Sequence, residues 1–362
     1  MFHAIGLMSG TSLDGIDAAL IATDGLKAVK PLGFVTLPYR PEFRQKLREC
    51  FGNQAGNNDP HVAAIETELT TLHAAAVDIL LKRARRAPET IDMIGFHGQT
   101  LWHRPREKRT CQIGDGALLA KLTRIPVVND FRSADVAAGG QGAPFVPLYH
   151  AARAATMPKP LAILNIGGVA NITWLERHQE RGEEILAFDT GPGVALLDDW
   201  MLRHTGIPYD ADGKTAAQGK ADWASVVHIL ARPHFALPAP KSLDRNEFHD
   251  LDLGQLSPED GAATLAMVTA AAVARGFQLI DKKPLMLLVT GGGRHHPPMM
   301  RWIAELADCP ALPVEAVGWN GDALEAEAFA YLAVRHWLDL PLSLPRTTGV
   351  PEPMRGGVLH RP

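Results

Sequence analysis

The feature that most constrains the fold is an order of elements that occurs twice. Residues 4–8 form a short apolar run that ends in a loop of Gly, Ser, Thr and Asp. Residues 17–23 form a second run closed by Asp24-Gly25, a strong hairpin signal, and residues 29–37 a third run ended by Pro38. Asp59-Pro60 then opens a helix, with Asp as its cap and Pro at the first helical position. Val62, Ile65, Leu69, Leu72, Ala76 and Leu80 follow at helical spacing. A strand at 91–96, a helix at 117–123 and a strand at 127–129 complete the first pass.

The second pass starts with a buried strand at 161–166 ending in Gly167-Gly168, then strands at 169–175 and 185–188. Helices are expected near 195–204 and 262–279, a strand at 285–289, a helix near 299–307, a strand near 314–317 and a last helix over 322–338. A three-strand hairpin plus crossover units, made twice, implies two α/β layers facing one cleft. A chain of 362 residues is also too long for one compact core. The expected division is residues 1–131, joined by the tail 340–362, and residues 132–339. The Pro-rich tail reads as packed but irregular, with disorder as the rival.

Composition removes several function classes. With 46% hydrophobic and 21% charged residues the chain is an ordinary globular one. A net charge of -4 without a long basic run makes nucleic acid and anionic membrane poor partners. The densest basic stretch, Lys82-Arg83-Ala84-Arg85-Arg86, falls at a helix end where cations complement the dipole. Cys50, Cys111 and Cys309 are scattered and odd in number, which fits a reducing cytosol better than a disulfide framework. The first residues do not read as a signal peptide, and no uninterrupted apolar run reads as long enough to span a bilayer.

Three Gly-rich loops each follow a strand: residues 10–17, residues 165–171 and Thr290-Gly291-Gly292-Gly293. Glycine lets backbone N–H groups crowd around an anion with no Cβ in the way. Gly10, Gly15, Gly167, Gly168 and Asn171 would therefore grip the phosphates of ATP from two sides, with the hydroxyls of Thr11 and Ser12 adding donors. Gly291, Gly292 and Gly293 would support the adenosine end. Asp14 or Asp17 would hold Mg2+, directly or through water. Any one loop alone is as well explained by a tight turn; three at equivalent places favour a nucleotide cleft. Gly213-Lys214-Thr215 is not a P-loop, because Pro208 stands where its first glycine belongs, and no Gly-x-Gly-x-x-Gly follows the first strand. The adjacent pair His295-His296 is a poor metal site.

The motifs together resemble the anhydro-N-acetylmuramic acid kinases, of the actin-like ATPase (ribonuclease-H-like) class. The resemblance runs through Gly6-Leu7-Met8-Ser9-Gly10-Thr11-Ser12-Leu13-Asp14-Gly15-Ile16-Asp17, Phe96-His97-Gly98-Gln99-Thr100 and Gln112-Ile113-Gly114-Asp115-Gly116. It continues through residues 129–144, 165–171 and 188–193 to Glu325-Ala326-Glu327-Ala328-Phe329-Ala330, in order along nearly the whole chain. The resemblance implies two actin-like domains around a nucleotide and substrate cleft. It also implies ATP-dependent, hydrolytic opening of a 1,6-anhydro sugar with phosphorylation of O6, in the cytoplasm, by a homodimer. By the same resemblance Asp189 is the base that activates water, and Glu325 orients the sugar. His97, Gln99, Asp130 and Arg132 line the sugar pocket, with the Arg132 fork fitting the lactyl carboxylate. Read without the resemblance, Asp189 is a turn or capping Asp, Glu325 a surface residue and His97 a structural histidine. Val194 stands where the family usually has Asn, and Arg294-His295-His296 where it has a small residue and Asn. Two rivals remain: another sugar or carboxylate kinase on the same fold, and a nucleotide-switched protein of the actin and Hsp70 type.

Overall fold

The computed structural model describes residues 1–10, 12–180, 182–243, 245–248 and 251–362, with the side chains of Asn57, Arg245 and Asn246 set aside. Thr11, expected to donate to phosphate, lies outside the described residues. The chain forms two compact units, Met1–Thr156 with Asp322–Pro362, and Met157–Gly321.

The first unit is built on a six-stranded sheet. Its strands are β1 (Phe2–Met8), β2 (Gly15–Thr23), β3 (Val29–Pro38), β4 (Met93–Phe96), β7 (Val127–Asn129) and β13 (Val358–His360), in the order β13-β7-β4-β1-β2-β3. β1, β2 and β3 run antiparallel in turn, whereas β4 and β7 continue the sheet parallel to β1. Helices α1 (Pro41–Glu49), α2 (Pro60–Ala84), α3 (Gly116–Thr123), α4 (Ser133–Ala137) and α5 (Pro147–Arg153) come from the N-terminal stretch. Asp59 caps α2 by accepting the His61 N–H at 2.8 Å, and Val62, Ile65, Leu69 and Leu80 carry its buried face. That face shares a core with Ile5, Leu7, Ile16, Leu20 and Ile94. A hairpin not anticipated from sequence, β5 (Gln99–Arg104) with β6 (Arg109–Ile113), stands apart as a two-stranded sheet.

The second unit repeats the plan. Strands β8 (Leu161–Ile166), β9 (Val169–His178), β10 (Gly182–Pro192), β11 (Leu287–Thr290) and β12 (Ala311–Pro313) lie in the order β10-β9-β8-β11-β12. β8, β9 and β10 are antiparallel neighbours, and β11 and β12 continue parallel to β8. Strand for strand, β8-β9-β10-β11-β12 matches β1-β2-β3-β4-β7 in order and direction. That is the ribonuclease-H-like arrangement, made twice. Helices α6 (Ala195–Thr205), α7 (Trp223–Leu230), α8 (Pro258–Gly276) and α9 (Pro297–Ala307) belong to this unit. Residues 258–279 are long and apolar enough to cross a membrane, contrary to the sequence expectation, yet 67% of the qualifying window is buried. Ala262, Ala266 and Val273 of α8 pack with Ile172, Trp174, Phe188 and Val289 as a core helix does.

Both expected domain boundaries move. The last long helix, α10 (Leu324–Trp337), was expected in the second domain but belongs to the first unit, together with residues 132–156. The reason is a close approach to two strand glycines. A Cβ on Gly6 would stand 1.7 Å from the Ala326 carbonyl oxygen, and one on Gly95 2.0 Å from that of Phe329. The tail does join the first unit: β13 pairs antiparallel with β7, after α11 (Pro345–Thr348). Residues 314–317, expected as a strand, form a 3-10 turn, and the strand precedes them as β12. The turn is closed by Trp319 N–H on the Val314 carbonyl at 3.1 Å.

Candidate functional site

In the second unit, direct cross-strand pairing sets four polar residues abreast. Asp189 of β10 faces Asn171 of β9, Asn171 faces Asn165 of β8, and Asn165 faces Thr290 of β11. Directly paired residues share a sheet face. The row sits where β8 and β11 end, beside the Gly167-Gly168 turn and Gly291. Carboxyl ends of parallel strands are the usual place for ligands in α/β sheets.

Asp189 is 7% exposed. A register shift between Asp189 and Gly191 bends β10 there, a common device for re-aiming a side chain. The segment from His234 to Leu243 wraps the residue. Asp189 Oδ2 accepts the Leu243 N–H at 2.8 Å, its own N–H donates to the Lys241 carbonyl at 2.9 Å, and its carbonyl accepts from His234 Nε2 at 3.2 Å. Lys241 Nζ donates to the His234 carbonyl at 2.9 Å. Burial, then Arg275, pull the Lys241 ammonium below its ordinary pKa, while Asp189 opposes them. Burial first, then Lys241, push His234 down to about 4, so it is neutral at pH 7. This wrapping was missed from sequence. Nothing in the sequence pattern of residues 234–243 ties them to Asp189.

The glycine loops of this unit divide by role. A Cβ on Gly168 would meet nothing nearer than 3.5 Å, one on Gly167 nothing nearer than 3.7 Å, and one on Gly292 nothing within 4 Å. These three present open backbone. Gly291, with φ +77, and Gly293 instead press against Asn165 and Ile166, so their lack of a side chain serves packing.

The first unit gathers acid rather than amides. Asp17 of β2 pairs across the sheet with Thr36 of β3, whose hydroxyl donates to Asp17 Oδ1 at 2.6 Å. Burial, then the charges of Glu325, Asp14 and Asp322, outweigh that bond and raise the Asp17 carboxyl to about 6. Glu325 lies in the first turn of α10, half-buried, and Asp14 and Ser12 are exposed. A Cβ on Gly10 would meet the Ser12 hydroxyl at 3.4 Å, an ordinary contact, but Gly15 is in the ladder of β2, where a Cβ would stand 2.5 Å from the Leu37 carbonyl oxygen. No group of three or more His, Cys, Asp or Glu side chains among the described residues is set to hold a metal ion. The neighbouring charges of Glu325, Asp14 and Asp322 around Asp17 nonetheless fit a divalent cation held with water in its shell.

Of the residues expected around the sugar, His97 and Arg132 are bonded to each other. His97 Nδ1 donates to the Gly98 carbonyl at 2.8 Å, and its Nε2 accepts the Arg132 Nε–H at 3.0 Å. Burial first, then Arg132, hold His97 well below its ordinary pKa. His97 thus bonds to Arg132. Gln99 is fully buried, its Oε1 accepting the Ser9 hydroxyl at 2.7 Å, and Ser9 lies 2.8 Å from the Tyr39 hydroxyl. Asp130 is half-buried with φ +51, a conformation a non-glycine residue adopts at some cost. It helps line a pocket of about 490 Å³ with Trp102, Arg109, Gln112 and His360.

The anhydro-N-acetylmuramic acid kinase model matches residues 2–361. A relative of that name from Rhizorhabdus wittichii is 52% identical over 363 residues, covering 99% of both chains. Another from Nitrobacter winogradskyi is 50% identical over 372 residues, covering both chains completely. The chain belongs to the anhydro-N-acetylmuramic acid kinase family. It is a kinase. A solved structure, component A of (R)-2-hydroxyglutaryl-CoA dehydratase from Acidaminococcus fermentans, aligns over 92% of this chain and 99% of its own with TM-score 0.47 and 11% identity. The fold assignment rests on the strand order instead.

Against the family, the departures have local explanations. Val194 caps α6 without any side-chain bond, and its N–H donates to the Gly167 carbonyl at 2.8 Å while the side chain packs on the core. Arg294 is a strap: its Nε donates to Glu315 at 3.0 Å and its NH1 to the Gly291 carbonyl at 3.0 Å. His296 caps α9 by accepting the Met299 N–H at 3.1 Å, and its Nε2 faces Asp210 at 3.3 Å. Asp210 also accepts the N–H groups of Thr215 and Ala216 at 2.8 and 2.9 Å. The loop through Gly213-Lys214-Thr215 therefore folds around the protein's own carboxylate.

Proposed function

We propose that the chain uses ATP to open 1,6-anhydro-N-acetylmuramic acid with water and to phosphorylate the O6 so released, giving N-acetylmuramic acid 6-phosphate for cell-wall recycling. The observation that carries this reading is the buried Asp189 carboxylate at the strand ends, abreast of Asn171 and next to the open Gly167-Gly168 turn. Asp189 takes a proton from water as the water oxygen bonds to C1. The C1–O6 bond breaks on the opposite face, and its electron pair goes to O6, as in an inverting glycosidase. O6 then bonds to the γ-phosphorus of ATP as the bond to the β-phosphate oxygen breaks, releasing ADP. The Leu243 N–H fixes the Asp189 side chain, and a positioned carboxylate is what general-base catalysis needs.

Backbone N–H groups of Gly167, Gly168 and Gly10 serve the phosphates, and Gly292 the nucleoside end. Asp14 and Asp17 would hold Mg2+, whose charge, when it is bound, offsets that of the transferring phosphoryl group. Burial first, and then the charges of Glu325, Asp14 and Asp322, raise the Asp17 pKa, and a bound cation would offset those charges. Arg132 receives the lactyl carboxylate and Glu325 orients the sugar. A cytosolic homodimer is part of the same reading and rests on the family resemblance; sedimentation at micromolar protein tests the dimer.

A coupled ADP-release assay tests the reaction. Turnover with the anhydro sugar should exceed that with N-acetylmuramic acid or N-acetylglucosamine. Preference for a free sugar would assign the chain to a kinase that needs no water-activating step.

A further inference from the structure

Asp135 of α4 is 2% exposed and has no part in the chemistry described above. A carboxylate that deep is tolerated only with a full set of donors. Its Oδ1 accepts the Gly142 N–H at 2.7 Å, and its Oδ2 accepts the hydroxyls of Thr348, at 2.6 Å, and of Ser343. Gly140 lies so close that a Cβ there would stand 2.2 Å from Oδ1. The carboxylate thus joins the loop through Gly139-Gly140-Gln141-Gly142 to the segment around α11. The same two segments meet again where the Gln141 N–H donates to the Thr348 carbonyl at 2.6 Å. His103 Nε2 donates to the Gln141 carbonyl at 2.7 Å and holds the loop from the β5–β6 hairpin.

The far side of this loop meets Arg132. The Gly142 carbonyl accepts from Arg132 NH1, while His97 Nε2 accepts the Arg132 Nε–H at 3.0 Å. Because His97 spends its Nδ1–H on the Gly98 carbonyl, Nε2 keeps the lone pair that Arg132 needs. The guanidinium also lies 5.6 Å from the centre of the Phe145 ring. The Gly142 carbonyl and His97 Nε2 both bear on the direction of the fork, and the carbonyl keeps its place through Asp135.

We propose that Asp135 is a positioning residue: by pinning Gly142 it aims the Arg132 guanidinium at the carboxylate of the sugar substrate. The inference rests on the reading that Arg132 receives the lactyl carboxylate. It concerns recognition of the acid and not the transfer of phosphate.

The test compares 1,6-anhydro-N-acetylmuramic acid with its methyl ester in the wild type, Asp135→Asn and Thr348→Val. In the wild type the ester should have a KM about tenfold higher, the loss expected for a charge-assisted pair. Asp135→Asn should raise the KM for the acid about tenfold and shrink the ester gap to about threefold or less, with the KM for ATP within about twofold. Thr348→Val keeps the carboxylate and removes one donor, so it should move the same quantities less while the protein stays folded. A folded variant that retains the full gap overturns the inference, as does a KM for ATP that rises in step with that for the sugar. A wild type blind to esterification would sink the Arg132 reading and the inference with it. Turnover of the acid in that same wild type reports separately on the kinase reading.

Discussion

The two units carry the same sheet but place their carboxylates differently. Asp17 near the start of β2 and Asn171 near the start of β9 hold equivalent places, as do their partners Thr36 on β3 and Asp189 on β10. In the first unit the acid is in the second strand with a hydroxyl beside it, and Asp14, Glu325 and Asp322 add charge. In the second unit the acid is in the third strand, next to amides and beneath a backbone N–H. One scaffold thus yields a crowded acidic site suited to a cation and an anchored carboxylate suited to accepting a proton.

The units also differ in what their most crowded glycines face. In the first, Gly6 and Gly95 are strand residues facing the backbone of α10. In the second, a helix glycine faces a side chain of another helix: a Cβ on Gly261 of α8 would stand 2.0 Å from the Trp200 ring of α6. Backbone in a packed helix gives way less than an indole does. Gly6→Ala should therefore destabilise by about 3 kcal/mol or more, and Gly261→Ala by about 1–3 kcal/mol. Chemical denaturation checks both; equal losses would break the comparison.

The acid–base contrast can be sharpened by pH. Burial alone would raise the Asp210 carboxyl, but bonds from His296, Ala216 and Thr215 hold it at about 2. A depressed carboxyl stabilises above its unfolded pKa and loses that contribution as pH falls towards 2. Asp210→Asn should cost about 2 kcal/mol at pH 7 and little near pH 2. Asp17 has the opposite sign. With its folded pKa raised to about 6, wild-type stability falls as pH rises from about 4 through 6. Asp17→Asn should gain about 1 kcal/mol at pH 7, less than the full shift implies because part of the group is solvated. No gain there would mean that the crowding of charge around Asp17 is not felt.

Much of this plan was legible in the sequence. Strand order follows from apolar runs cut by Asp24-Gly25, Pro38 and the Gly-rich loops, and Asp59-Pro60 marks the start of α2. The domain boundary was not legible, because α10 joins the first unit through contacts with Gly6 and Gly95 that are far away in sequence. Nor was the β5–β6 hairpin, whose Trp102, His103 and Arg104 do not alternate apolar with polar. The motif at Asp189 was visible, but its enclosure by residues 234–243 is tertiary and leaves no periodic signal. The motif carrying His97 and Gln99 was visible too, but their hydrogen bonds to Arg132 and Ser9 are tertiary and leave no mark in the sequence.

The most direct measurement is single-turnover hydrolysis and transfer with Asp189→Asn, run beside ATP-analogue binding to the same protein. The amide keeps the size of the side chain and an acceptor for Leu243, but it cannot take the proton from water. Turnover should fall by about 10³-fold or more with nucleotide affinity unchanged within about twofold. Wild-type turnover in that variant would contradict the assignment of Asp189 as the base.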